Sequence, residues 1–307
     1  VDNLGNDIVS YTILVTGSTG YLGKCIVKKI KQEDIQVISI ARGSKNKNIE
    51  ACDLTKKNEI KELIERFSPS RIIHCAASVP KEIEGEVSGY QDSYAADDSL
   101  QMALNIAEIS TCPIVFTSSM TVYDCESLLD SPIYEGQDIC RPKTLYAARK
   151  LSAEKGMARL TNNGLVNLRL PGLFGKPRTT GVLYKAAYAF LSGVEFNLTS
   201  TPLWAAMHVD DAADNCIKAA KLNFFPKNET INIGYSNIFN IIDSIKLLAD
   251  ICNVSWNCNS LVAPYFQANL KKSKKYGLSQ EDCYKDRLEQ LVLNVHSDMA
   301  NNKDGSR

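Results

Sequence analysis

The stretch Tyr11-Thr12-Ile13-Leu14-Val15-Thr16-Gly17-Ser18-Thr19-Gly20-Tyr21-Leu22-Gly23 decides how the rest of the chain reads. Its first six residues form a β-branched apolar run, the pattern of a parallel strand buried on both faces. Gly17-Ser18-Thr19-Gly20 breaks that strand at once. Leu22, Cys25, Ile26 and Ile30 then recur at helical spacing, with lysines on the opposite face. Val37-Ile38-Ser39-Ile40 follows as a second apolar run. The opening therefore predicts strand, turn, helix, strand, the unit from which parallel sheets are built.

The alternation continues outward. Helical periodicity spans Glu59 to Phe67, Leu100 to Ile109 and Tyr146 to Leu160; strands are expected at Arg71 to Cys75, Pro113 to Thr117 and Val166 to Leu170. This predicts an α/β fold, a doubly wound parallel Rossmann sheet with its ligand site at the carboxyl ends of the strands. Past residue 171 the texture changes, with turn signals at Gly175, Pro177 and Gly181 and an apolar segment from Val182 to Leu191. A helix entered from Asp210-Asp211, a strand at Thr230 to Gly234 and a mainly helical remainder follow, closing on an amphipathic helix marked by Tyr284, Leu288, Leu291, Val292 and Val295. The expected division is a dinucleotide-binding Rossmann domain over 1–171 and about 204–235 and a smaller, mostly helical substrate lobe over about 172–203 and 236–300. A flexible tail is expected at 301–307.

Composition excludes several classes. The 307 residues are 44% hydrophobic and 23% charged, with 35 basic residues balancing 35 acidic ones. No global field recruits nucleic acid or an anionic membrane. No apolar run approaches the roughly 20 residues of a membrane span, and the polar start Val1 to Asp7 is unlike a secretory signal. Ten cysteines lie singly with no Cys-x-x-Cys pair, so most are expected as small buried thiols in a reducing cytoplasm. With only His74, His208 and His296 scattered among them, no metal site is expected.

Gly17-x-x-Gly20-x-x-Gly23, set between a strand and a helix, has a mechanism. Gly17 permits the tight turn, Gly20 lets the backbone approach a pyrophosphate, Gly23 allows close helix–strand packing, and the helix N-terminal amides hold the anion. At the end of the second strand stands Ile40-Ala41-Arg42-Gly43-Ser44, with no acid to accept a ribose 2′-hydroxyl. NADP is therefore expected over NAD, with Arg42 on the 2′-phosphate, helped by Ser18 or Ser44; the plainer alternative is a solvated basic loop running on to Lys45 and Lys47. Tyr146-Ala147-Ala148-Arg149-Lys150 opens a helix, so Lys150 shares a face with Tyr146. A neighbouring ammonium favours phenolate and makes the tyrosine a usable general acid or base for a carbonyl or alcohol.

Together these motifs resemble the extended short-chain dehydrogenase/reductases, the epimerase/dehydratase family that modifies nucleotide sugars. Thr16 to Gly23 resembles its cofactor turn, adding Ser18, Thr19, Tyr21 and Leu22 to the three glycines. Asp53-Leu54 resembles the acid that meets the adenine amine, and Ala76-Ala77 the alanines lining the adenosine ribose. Ser118-Ser119-Met120-Thr121-Val122-Tyr123 resembles the fifth-strand segment, which makes Ser119 the hydroxyl partner of Tyr146. The resemblance also places Thr117 and Pro171 beside the cofactor, and implies that Lys150 holds the nicotinamide ribose. His74 and His208 are read as structural. A homodimer through the active-site helix and the helix near 100–109 is the family expectation, with Leu100, Leu104 and Leu151 compatible.

Three departures bear on substrate. Met120-Thr121 stands where dehydratases carry Asp-Glu, which argues against dehydration. Gly172 replaces the usual asparagine after the sixth strand, and Trp204 the usual diphosphate arginine; Arg178, Lys176 or Lys185 are candidates to restore that charge. A fourth departure concerns bracing of the active-site strand: Asp97 replaces a structural asparagine. The reading favoured is reduction of a 4-keto-deoxy-sugar nucleotide. The alternatives are an NAD-dependent nucleotide-sugar epimerase, redox chemistry on a small polyol or keto acid, and a non-catalytic nucleotide-sensing scaffold.

Overall fold

The structure, a computed structural model, describes residues 11–33, 35–43, 46–77, 98–123, 132–135, 140–201, 205–236, 240–258, 261–278 and 283–304. Asp97, Trp204, Ser44, Lys45 and Cys125 lie outside them. In chain order the elements are β1 (Thr12–Thr16), α1 (Tyr21–Ile30), β2 (Gln36–Ala41), β3 (Glu50–Ala51), α2 (Lys57–Phe67), β4 (Arg71–His74), α3 (Ser99–Ile109) and β5 (Ile114–Ser119). A single 3₁₀ turn (Met120–Val122) then leads to α4 (Leu145–Leu160), β6 (Leu165–Leu170), β7 (Gly172–Phe174), α5 (Val182–Ser192) and β8 (Ala206–His208). The chain ends with α6 (Val209–Ala220), β9 (Glu229–Asn232), α7 (Ile241–Ile251), α8 (Lys271–Lys275) and α9 (Tyr284–Asp304).

The main sheet is seven-stranded and parallel, in the order β3-β2-β1-β4-β5-β6-β9. Strand side chains alternate between faces, and both faces are apolar here. Ile13, Val15, Ile73, Val115 and Val166 pack with Ile26 of α1 and Ala212 and Cys216 of α6. Leu14, Ile72, Ile114 and Phe116 pack with Ile60 of α2, Met102 of α3 and Met157 of α4. The direction of strand addition reverses between β1 and β4, the point where doubly wound sheets open a crevice. A second, two-stranded parallel sheet pairs β7 with β8.

Two expectations change, and one strand is added. The two-residue β3 escapes the sequence reading because it is too short to show a period. Helix α9 continues through Asp304, where a flexible tail is expected from 301. The described cysteines are all unpaired, but only Cys25, Cys52, Cys112 and Cys216 are fully buried; Cys75, Cys140, Cys252, Cys258 and Cys283 are half-buried. Among the described residues no helix is long and apolar enough to cross a membrane, and no group of three or more His, Cys, Asp or Glu is placed to hold a metal.

Candidate active site

At the carboxyl end of β1, Gly17 sits at φ +64 and a Cβ there would stand 2.8 Å from the Ala76 backbone. Only glycine meets both demands. Gly20 donates to the Gly17 carbonyl at 2.9 Å, and a Cβ on Gly23 would lie 2.2 Å from that oxygen. Gly20 is the N-cap of α1, so no side chain caps the helix, and its first turn holds no acid. That end is therefore backbone suited to an anion, and the turn fits an NAD-type dinucleotide. Ser18 is buried, and its hydroxyl donates to the Ile40 carbonyl at 2.9 Å. It pins the turn to β2, so helping Arg42 with a phosphate is not its evident task. Thr19 is exposed and Leu22 half-buried; the Tyr21 hydroxyl donates to Gly175 at 2.7 Å.

Arg42 follows β2, and its guanidinium reaches Asp98 at the head of α3, 3.3 Å away. Asp53 follows β3, and its carboxylate accepts from the Thr55 amide (3.1 Å) and hydroxyl (2.9 Å). Those two bonds, with Arg42 nearby, hold its carboxyl below the usual range. Arg42, Asp53 and Asp98 thus share one corner of the sheet, with buried Leu54 beneath. Ala76 and Ala77 continue β4, and the Ala76 amide donates to the Thr16 hydroxyl at 3.2 Å.

Helix α4 starts at an N-cap, Thr144, whose hydroxyl accepts from the Ala147 amide at 3.1 Å. One turn separates Tyr146 from Lys150, whose ammonium lies 5.9 Å from the Tyr146 ring centre and 4.7 Å from that of Phe116. Lys150 is buried and donates to the Thr117 carbonyl at 2.6 Å. Both side chains line a recess that also takes in Ala76, Ser99, Phe116 and Arg149. The chain thus gathers β4, β5, α3 and α4 around the predicted phenol and ammonium. Ser119 ends β5 but is not among the residues lining that recess. Its oxygen caps the 3₁₀ turn, accepting from the Thr121 amide (3.2 Å) and hydroxyl (3.0 Å). Pro171 is buried at the end of β6.

His74 and His208 are held in the framework of the fold. His74 is fully buried, 2.7 Å from the Thr16 hydroxyl and stacked on Phe116. Burial, and then Lys150, push its pKa down to about 3, so it is neutral; burial pushes the adjacent Cys75 thiol up to about 12. His208 is itself the N-cap of α6, its Nδ1 accepting from the Asp210 amide at 3.2 Å.

Sequence reading missed a buried network under the site. Glu154 accepts from Arg169 at 3.0 and 2.6 Å and from the Ser118 hydroxyl. Arg169 also donates to the Tyr123 hydroxyl (2.8 Å), which donates to Asn232 of β9 at 2.6 Å. One carboxylate thereby ties the residue before Ser119 to the helix bearing Tyr146 and Lys150. Spacing alone hid it, since Glu154 and Arg169 are fifteen residues apart and read as ordinary helix and strand positions. Ser99 and Arg149 also line the recess; only Arg149 carries a sequence signal, three residues past Tyr146 on the same face.

A parallel sheet with a glycine turn after β1 and a Tyr–Lys pair opening the helix after β5 is the framework of the Rossmann-type dinucleotide-binding folds. The chain belongs to the NAD-dependent epimerase/dehydratase family, whose model matches residues 13–234. Among curated proteins it is 27% identical over 217 residues to methionine adenosyltransferase 2 subunit beta of Xenopus laevis, covering 69% of this chain and 62% of that protein. The chain thus spans less than two thirds of that relative's length. The fold is similar to the UDP-N-acetylglucosamine 4-epimerase of Bacillus cereus, with TM-score 0.73, 20% identity and coverage of 94% of this chain and 97% of that one. It is also similar to the UDP-glucose 4-epimerase of Thermus thermophilus in complex with NAD, with TM-score 0.67, 17% identity and coverage of 93% and 99%.

Proposed function

We propose that the protein is an NAD(P)-dependent oxidoreductase that reduces a 4-keto-deoxy-sugar nucleotide, with NADPH as donor. One observation carries the reading: the Lys150 ammonium stands 5.9 Å from the Tyr146 ring in a recess that Ala76 of the cofactor strand also lines. The bound dinucleotide supplies the hydride. Tyr146 gives its proton to the carbonyl oxygen as charge develops there, and Lys150 stabilises the resulting phenolate. The Thr117 carbonyl holds the ammonium in place. Ser119, whose oxygen accepts from Thr121, has its own hydroxyl proton to offer the substrate oxygen, the role that the family resemblance implies. Met120, the position where dehydratases need an acid, faces a small apolar cluster with Ile133 and Phe266, which supports reduction over water loss. The named UDP-sugar epimerases of like fold support a sugar nucleotide as the substrate class. In this reading 172–203 and 236–300 form the substrate lobe, and the protein works as a cytoplasmic homodimer.

The curated relatives favour a second reading, a nucleotide-holding companion subunit of a methionine adenosyltransferase. The test begins by denaturing purified protein and identifying released nucleotide by mass spectrometry. The emptied protein is then titrated with NADPH and NADH and assayed at 340 nm with 4-keto sugar nucleotides. NADPH oxidation that Tyr146→Phe abolishes establishes the reductase. Tightly held NAD without preference for NADPH turns the reading to an epimerase. Binding without any turnover, together with activation of a methionine adenosyltransferase that survives Tyr146→Phe, establishes the companion subunit.

A further inference from the structure

The segment joining β6 to α5 is braced against the head of α1. Gly172–Phe174 pairs with Ala206–His208, and Gly175, at φ +102, presses against the His208 ring, which would lie 2.2 Å from an added Cβ. Tyr21, the first residue of α1, donates its hydroxyl to Gly175 at 2.7 Å. Lys176 is fastened to Asp298 of α9 at 2.9 Å. Arg178 closes the turn: its amide donates to the Gly175 carbonyl (3.1 Å) and its guanidinium to the Leu173 carbonyl (3.3 Å). Its guanidinium carbon stands 5.4 Å from the centre of the Tyr21 ring. Sequence alone offers Arg178 and Lys176 to a substrate diphosphate. In the fold, Lys176 is turned to α9 and Arg178 is brought to the N-terminus of α1.

We propose that Arg178 is a cofactor-binding residue, with residues 172–178 forming a strap across the head of α1 whose guanidinium binds the diphosphate of the dinucleotide. This rests on the dinucleotide reading above and extends it to a residue outside the glycine turn. The physical case is one of charge. A helix N-terminus offers only about half an elementary charge, whereas a diphosphate linkage carries two negative charges. A guanidinium supplies a full charge in a planar fork that matches phosphate oxygens. The Tyr21 ring, fixed through its hydroxyl, holds that fork in place, so little side-chain freedom is lost on binding. The half-buried position of Arg178 also leaves the interaction less screened than at an open surface.

Binding to the intact protein by calorimetry tests this with three probes: NADPH, ADP-ribose, which has the diphosphate but no nicotinamide, and adenosine 2′-phosphate, which has no diphosphate. Arg178→Ala is expected to weaken NADPH and ADP-ribose about tenfold or more, as loss of a bidentate charged contact does, while adenosine 2′-phosphate is unchanged. Arg178→Lys is expected to lose less, and Tyr21→Leu, which removes the ring, to lose part. Arg178→Gln serves if the alanine variant unfolds, with circular dichroism as the check. ADP-ribose binding at wild-type strength in either neutral variant overturns the proposal, and so does parallel weakening of all three probes. A wild-type protein that binds none of the three overturns the dinucleotide reading itself, and this inference with it.

Discussion

Among single residues, the proposed mechanism divides the work between Tyr146 and Lys150. Tyr146→Phe keeps the ring and its packing but removes the proton, so turnover should fall by about 10²–10⁴-fold, the usual contribution of a positioned acid, while the NADPH dissociation constant stays within a few-fold. Lys150→Met removes a buried ammonium that also touches Thr117 and Phe116, so both turnover and cofactor binding should suffer. Stopped-flow hydride transfer and fluorescence titration separate the two. The corner at Arg42 makes an independent forecast. Its partner Asp98 is more than a third exposed and 3.3 Å away, and such pairs contribute only about 0–1 kcal/mol. A 2′-phosphate should therefore displace Asp98 readily. Arg42→Ala should cut the preference for NADPH over NADH by about tenfold, roughly 1.4 kcal/mol, whereas Asp98→Asn should raise it. Equal ratios in all three proteins would remove Arg42 from cofactor choice.

At the level of elements, two devices hold the site in shape, and their failures should look different. The glycine turn is a matter of backbone. Gly17→Ala forces a Cβ into Ala76 at a positive φ, a strain of about 1–3 kcal/mol, and should abolish dinucleotide binding in a protein that still folds. The Glu154–Arg169 pair is a matter of charge. Both residues are nearly inaccessible, so Glu154→Ala leaves a buried guanidinium without its carboxylate, a loss of about 3–5 kcal/mol. Thermal melts should show that variant far less stable than Gly17→Ala. Glu154→Gln, keeping volume and one acceptor, should recover part of the difference. The turn was legible from the sequence because its glycines fall at fixed spacing after an apolar strand. The ion pair was not, because nothing local marks a helix glutamate as the partner of a strand arginine.

For the whole molecule, the pH dependence of stability follows from buried groups. Burial lowers the pKa of His74 to about 3 and pulls that of His208 below its ordinary value. The unfolded chain takes up these protons near pH 6.5 and the folded one does not. Stability from these two groups is thus present above about pH 6.5 and falls as pH drops through that value, for His74 by roughly 1.4 kcal/mol per pH unit. Burial raises the Asp211 carboxyl, but bonds from Arg287 and Tyr235 outweigh it and hold the group below its usual range. Its contribution is present above the unfolded carboxyl pKa and is lost as pH falls through the lower folded value. The melting temperature should therefore decline steadily as pH falls from 7 toward 5, and fall again above about pH 8.5, where the unfolded chain ionises thiols that burial keeps protonated in the fold. A His74→Asn variant should show a shallower decline; an unchanged slope would remove His74 as its source.

What the sequence by itself determined is the local part of this protein: the β1–turn–α1 unit, the alternation that makes a parallel sheet, and Tyr146 and Lys150 on one face of α4. Each follows from periodicity, spacing or the special backbone freedom of glycine, all of which act between near neighbours. Tertiary structure alone decided which distant groups meet. It set Ser18 to pin the turn to β2, Asp98 against Arg42, and Glu154 onto Arg169. It also carried Arg178 to the head of α1. Those pairings depend on how strands order across the sheet and where loops come to rest, because a side chain's partner is chosen by distance in space, which spacing along the chain does not encode.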